Sequence, residues 1–209
     1  MPDIAGTRTS DSVTLHLWSL HEEVVVEGRA DGSVVLRHGT RVWNLHRPCL
    51  LVRVALDRMT LGPVRLDNLT GVPVRPGDSG GCGELAELMW SLRCIAELVV
   101  HTLGHDDPRG PLLSVYCSAG SAPFRPKRPP DGSRVRLVPG AVSGREGDEP
   151  VMVAPRSAHR VRAHRPEVTD LLTALHRPLD VRRAAAAVSL PADVAAEILA
   201  YLVGAALVR

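Results

Sequence analysis

Two segments of this chain open on His-Arg-Pro and then run on in the same way, at His46–Pro48 and at His164–Pro166. After the first, Leu50, Leu51, Val54 and Met59 recur at helical spacing. TLGP (60–63) breaks that pattern, and VRLDNLTG offers a short second helix. After the second come PEVTDLLTAL, LDVRRAAAAV and PADVAAEILAYLV, three helical stretches in a row. Proline suits the first turn of a helix, where its missing N–H has no partner to lose. Short alternating runs precede each copy: VTLHLW, EEVVVEG, SVVLRHG and TRVWNL before the first; LLSVYCS, RVRLVPG, PVMVAP and AHRVRAH before the second. ADG between two of them is a hairpin signal. GAALVR at the end reads as a returning strand.

The predicted class is therefore α+β. It consists of two tandem winged-helix-like modules, each a small antiparallel sheet followed by three helices, the middle one short. In the first module the third helix is predicted over 84–103, which has no Gly or Pro. GHDDPRGP (104–111) reads as the boundary, giving modules at 1–107 and 108–209. The proline-dense AGSAPFRPKRPPDGS (119–133) is predicted to be an extended or mobile linker.

Bulk properties narrow the function classes. The chain has 209 residues and a net charge of +2, so its overall charge gives no reason to expect nucleic acid or an anionic membrane. Cys49, Cys82, Cys94 and Cys117 form no CxxC and predict buried, reduced thiols in a cytoplasmic protein. No apolar run reaches the roughly 20 residues of a membrane helix. The opening MPDIAGTRTSDS has no apolar core of the kind a signal peptide needs.

The run GPLLSV, then VMVAPRSAHRVRAH, then PEVTDLLTALHRPLDVRRAAAAVSLPADVAAEILAYLVGAALV resembles the non-catalytic N-terminal region of SagB-type azoline dehydrogenases. VVLRHGTRVWNLHRPCLLVRVALDRMTLGPVRLDNL is similar to the PqqD-like fold that recognises the leader of a ribosomal peptide precursor. The resemblance covers about residues 13–209. It implies a recognition or scaffold subunit in the making of thiazole- and oxazole-containing peptides. Its partners would be the precursor's leader peptide and a flavin-dependent dehydrogenase or cyclodehydratase. The flavin-binding nitroreductase-type domain that follows in the dehydrogenases has no matching residues before Arg209, so no cofactor and no catalytic residue is assigned. The alternatives are a winged-helix DNA-binding regulator and an accessory subunit of a two-chain flavoenzyme. The 84–103 segment weighs against DNA reading, since it carries a single basic side chain, Arg93, where such helices present several.

Leader recognition would proceed by strand addition, an extended peptide pairing with a sheet edge beside a helix. The predicted edge is Arg41, Val42, Trp43 and Asn44, ending at Leu45; the wall would come from Leu88, Leu92, Ile95 or Val99, any of which could equally be plain core. Alternation places Arg160, Arg162 and His164 on one face of a strand, a candidate surface for an acidic partner. An ordinary solvated strand face has the same pattern. His101 and His105 stand four apart beside Asp106 and Asp107, but Gly104 and Pro108 interrupt any shared helix, and no metal is assigned. GDSGG (77–81) matches the serine-protease motif in letters alone, because too few strands are predicted for that scaffold. RPKRPPDGSRVR (125–136) is basic but lacks aromatics for stacking bases.

Overall fold

The computed structural model describes residues 14–78, 83–118, 120 and 122–209. It is mixed α+β. The first half contains β1 (Thr14–Leu20), β2 (Val25–Gly28), β3 (Val34–His38) and β4 (Arg41–Leu45). These are followed by α1 (Leu50–Leu61), α2 (Asp67–Thr70), α3 (Glu84–Cys94), a 3-10 turn at Ala96–Leu98 and β5 (Val99–His105). The second half contains β6 (Leu113–Cys117), β7 (Val142–Glu146), β8 (Glu149–Val153) and β9 (His159–Ala163), then α4 (Pro166–Ala174), α5 (Val181–Ala187) and α6 (Ala192–Gly204). The strands form two antiparallel sheets, β2-β3-β4 and β1-β5-β6-β9-β8-β7. No single helix among the described residues is long and apolar enough to cross a membrane.

Local chemistry explains the turns and starts. In the β2–β3 hairpin, Gly32 takes φ +85, and the Asp31 carboxylate accepts the Ser33 N–H at 2.9 Å. That is the Asx geometry expected of an Asp-Gly turn. Pro166 occupies the first turn of α4, and the Asp180 side chain caps α5 by accepting the Arg183 N–H at 2.9 Å. In α1 the buried stripe is Val52, Ala55, Leu56 and Met59, whereas Leu50 is exposed.

The predicted helix 84–103 is corrected: it ends at Cys94, and Val99–His105 becomes a strand between β1 and β5's other neighbour, β6. Val99 to Gly104 are all buried. A central strand covered on both faces shows no apolar–polar alternation, so its sequence cannot be told from a buried helix by period. The β-branched Val99, Val100 and Thr102 suit a strand.

GHDDPRGP lies in the β5–β6 hairpin, and the larger sheet runs straight through it. The hydrophobic interior forms two clusters, which meet within β5. One cluster runs from Trp18 to Val99 and includes the buried faces of α1 and α3; the other runs from Leu103 to Val208 and includes those of α4 and α6. Arg165, from the second His-Arg-Pro, grips the hairpin. Its guanidinium donates to Asp107 at 2.8 and 2.6 Å, to the Pro111 carbonyl at 3.2 Å and to the Gly110 carbonyl. This contact, first among several, holds the Asp107 carboxyl well below the usual carboxylate range.

Residues 122–130 of the proline-dense segment form neither helix nor strand, as its composition predicts, but they are pinned to the protein. Phe124 is 1% exposed, and the Lys127 N–H donates to the Ala200 carbonyl at 2.9 Å. Farther along, Val135 bridges to Leu179 and Leu137 to Val208. The last bridge is the form in which GAALVR returns to the fold.

Candidate functional site

β4 is an edge strand, and β3 is its one partner in the sheet. Arg41 and Asn44 are exposed, Val42 is 54% exposed, and Trp43 is half-buried against the first core. The Arg41 guanidinium lies 5.0 Å from the Trp43 ring centroid and pairs with Glu97, which follows α3. The strand therefore borders the end of α3, but the predicted wall does not line a groove. Leu88, Leu92 and Ile95 are 0%, 3% and 0% exposed, and Val99 is buried with them in the first core. Their apolar character serves interior packing. The face α3 leaves outside carries Trp90 and Cys94.

The second half holds a counterpart of this edge. Trp43 and Val161 each stand five residues before the proline of a His-Arg-Pro, and each pairs with the strand that precedes it in sequence: Leu36 opposite Trp43 and Met152 opposite Val161. The far side differs. β9 is covered by β6, antiparallel, in a register from Leu113 opposite Ala163 to Cys117 opposite His159. Leu113, Val115 and Cys117 point inward and share the second core with Ile198, Leu199 and Leu202 of α6. The side of β4 equivalent to that covered by β6 carries no strand of the described residues.

Arg160, Arg162 and His164 do lie on one face, as alternation predicts, but their acidic partner is internal. The β7–β8 hairpin supplies Glu146, which accepts from Arg160 at 3.1 Å and Arg162 at 2.9 Å. It also supplies Glu149, 3.1 Å from Arg162 and 2.8 Å from His164 Nδ1. Both guanidinium groups lie over the Tyr116 ring, 5.5 and 5.0 Å from its centroid. These residues line a cleft of about 780 Å³ that reaches His21 and His38, whose rings stack 5.3 Å apart. Burial and then the neighbouring His38 push the His21 pKa down to about 4.

A hydrogen-bond chain crosses the cleft floor. Thr102 Oγ1 is 2.7 Å from Ser114 Oγ, which is 2.8 Å from His164 Nε2. The Glu149 carboxylate can only accept, so a neutral His164 carries its proton on Nδ1. Its Nε2 then accepts from the Ser114 hydroxyl, and Ser114 in turn accepts from Thr102. Ser114, Tyr116, Glu146 and Glu149 are not singled out by the sequence. They come from three strands, β6, β7 and β8, and only the strand register reveals that they meet.

His105 and His101 each pack against other side chains. His105 Nδ1 is 2.9 Å from Asp107. His101 lies between Trp18 and Phe124, with ring centroids 4.4 and 5.2 Å away. Burial lowers its pKa from 6.5 to about 3. The unfolded chain therefore binds a proton below pH 6.5 that the folded chain refuses until about pH 3. Stability should fall as the pH drops through that window, by up to about 1.4 kcal/mol per pH unit for this group. His16 and His159, also lowered by burial, add to the slope. Urea midpoints between pH 7 and pH 4.5 measure it, and His101→Leu should make the slope shallower by about one proton. An unchanged slope would contradict the burial of this ring. Of GDSGG, Ser79 and the two glycines after it lie outside the described residues.

Compared with protein-family models and with curated proteins, the chain matches none.

Proposed function

We propose that this chain is a peptide-recognition or scaffold subunit built from two winged-helix-like units, the first binding an extended guest peptide along β4. The guest class follows from the resemblance to PqqD-like modules: the leader of a precursor to thiazole- or oxazole-containing peptides, handed to a flavin dehydrogenase or cyclodehydratase in the cytoplasm. The observation that carries the reading is the difference between the two halves. In the second, the chain's own β6 lies antiparallel on β9 and drops alternate apolar side chains into the core. In the first, no strand of the described residues pairs with the equivalent border at β4.

β6 thus gives a template for the guest. It would be about five extended residues, running antiparallel to β4, with apolar side chains opposite Leu45, Trp43 and Arg41. Polar residues would stand opposite Asn44 and Val42, as Ser114 and Tyr116 stand opposite Arg162 and Arg160. Main-chain hydrogen bonds would supply attachment, and the half-buried Trp43 would supply part of the selectivity.

Fluorescence polarisation with a labelled leader peptide tests this directly. Saturable binding near micromolar affinity is expected. Val42→Pro should weaken it at least about tenfold, because proline removes a ladder donor and its ring obstructs pairing. A circular-dichroism melt of the variant checks that the fold is kept. Equal affinity in a folded Val42→Pro protein would exclude strand addition at this edge. Tight DNA binding that falls steeply with salt would point instead to a regulator.

A further inference from the structure

We propose that the cleft on the larger sheet is a hydrolytic site for small carboxylic esters, with Ser114 as nucleophile, His164 as general base and Glu149 as the residue that positions the imidazole. This goes beyond the peptide-binding reading and does not depend on it. Serine, histidine and carboxylate stand in the order and spacing that acyl transfer requires: Ser114 Oγ to His164 Nε2 at 2.8 Å, and His164 Nδ1 to Glu149 Oε1 at 2.8 Å. Such a relay is recognised by geometry and roles, not by fold or chain order. The tautomer is imposed by the carboxylate, as argued above, and it is the one that leaves Nε2 free to take the hydroxyl proton.

A fourth group completes the site. Arg162 stands directly opposite Ser114 in the β6–β9 register, on the same face. Its terminal nitrogens are engaged by Glu146 and Glu149, but its Nε is buried with no hydrogen-bond partner among the described residues. A buried N–H without an acceptor is costly unless something is meant to fill it. On the nucleophile's face of the sheet, this N–H would donate to an oxygen that gains negative charge during reaction. The cleft volume of about 780 Å³ lies within the range of small-molecule sites.

The chemistry balances without any cofactor. Ser114 Oγ attacks the ester carbonyl carbon while His164 Nε2 takes the hydroxyl proton. The carbonyl π electrons move to oxygen, where the Arg162 Nε–H donates to them. Collapse expels the alkoxide, which takes the proton from His164 and leaves as an alcohol. A water molecule then attacks the carbonyl carbon of the Ser114 ester as His164 takes its proton; the bond to Ser114 Oγ breaks, that oxygen takes the proton back from His164, and the carboxylic acid leaves. Thr102 donates to Ser114 Oγ in the resting state, and the Glu149 carboxylate faces the imidazolium while it is charged.

The whole chain, treated with a fluorophosphonate and digested, should carry one adduct, on Ser114. It should also hydrolyse p-nitrophenyl acetate faster than buffer. Ser114→Ala should abolish both. Glu149→Gln should lower kcat at least about a hundredfold with KM nearly unchanged, since it acts on the imidazole and not on the substrate. The adduct position in the unaltered protein does not rely on any variant folding. An adduct elsewhere, no adduct at all, or hydrolysis retained by Ser114→Ala would overturn the proposal.

Discussion

Phe124→Ala should lower the unfolding free energy by about 3–5 kcal/mol, the range for truncating a buried phenylalanine. Phe124 is the chain's sole phenylalanine and sits in a stretch that contains Pro123, Pro126, Pro129 and Pro130. It is 1% exposed, with ring centroids 5.2 Å from His101, 5.5 Å from His159 and 5.1 Å from Tyr201. Those neighbours come from β5, β9 and α6, so one side chain joins three elements of the larger sheet and its covering helix. Truncation would leave a cavity among rings that cannot close on it. Urea denaturation at pH 7 provides the measurement. A loss below about 1 kcal/mol, the level of a surface substitution, would mean that the segment does not dock.

Gly204→Ala should cost about 2–3 kcal/mol, even though alanine is the better helix former by about 1 kcal/mol. Gly204 is the last residue of α6, and its backbone does not need a left-handed conformation. What it needs is room. A Cβ there would overlap the Arg125 carbonyl oxygen and stand 3.0 Å from both the Arg125 carbonyl carbon and the Pro126 Cα. All three are backbone atoms, so relief requires the whole strap to move and the Lys127-to-Ala200 hydrogen bond to stretch. A stabilising effect would show that the strap is not seated on α6. Because both substitutions loosen the same segment, the double variant should lose less than the sum of the two.

These two results would also mark where reading the chain alone stops. The proline-rich composition correctly foretells a segment without helix or strand, because proline removes N–H donors and holds φ near −65°. Composition does not tell whether such a segment lies against the protein. That depends on a single phenylalanine finding a space bounded by residues far from it in sequence. The apolar run after Cys94 fails for a related reason. Val99 to Gly104 are covered on both faces, so the period that separates strand from helix is absent. At β4 the edge was legible and its predicted wall was not. Leu88, Leu92 and Ile95 have the helical spacing of any buried stripe, and spacing does not say which neighbour will cover them.

By itself, the amino-acid sequence determined most local elements, β5 excepted: the short strands before each set of three helices, and the positions of the turns and helix starts. These follow from side-chain period, from proline's place in a first turn and from Asp-Gly at a hairpin, all of which act over a few residues. Tertiary structure alone decided that β6 covers β9 while, among the described residues, no strand covers the outer side of β4. It alone brought Ser114, His164, Glu149 and Arg162 to one cleft floor. Strand pairing is a contact between distant segments, and its register sets which side chains share a face; no local pattern carries that information.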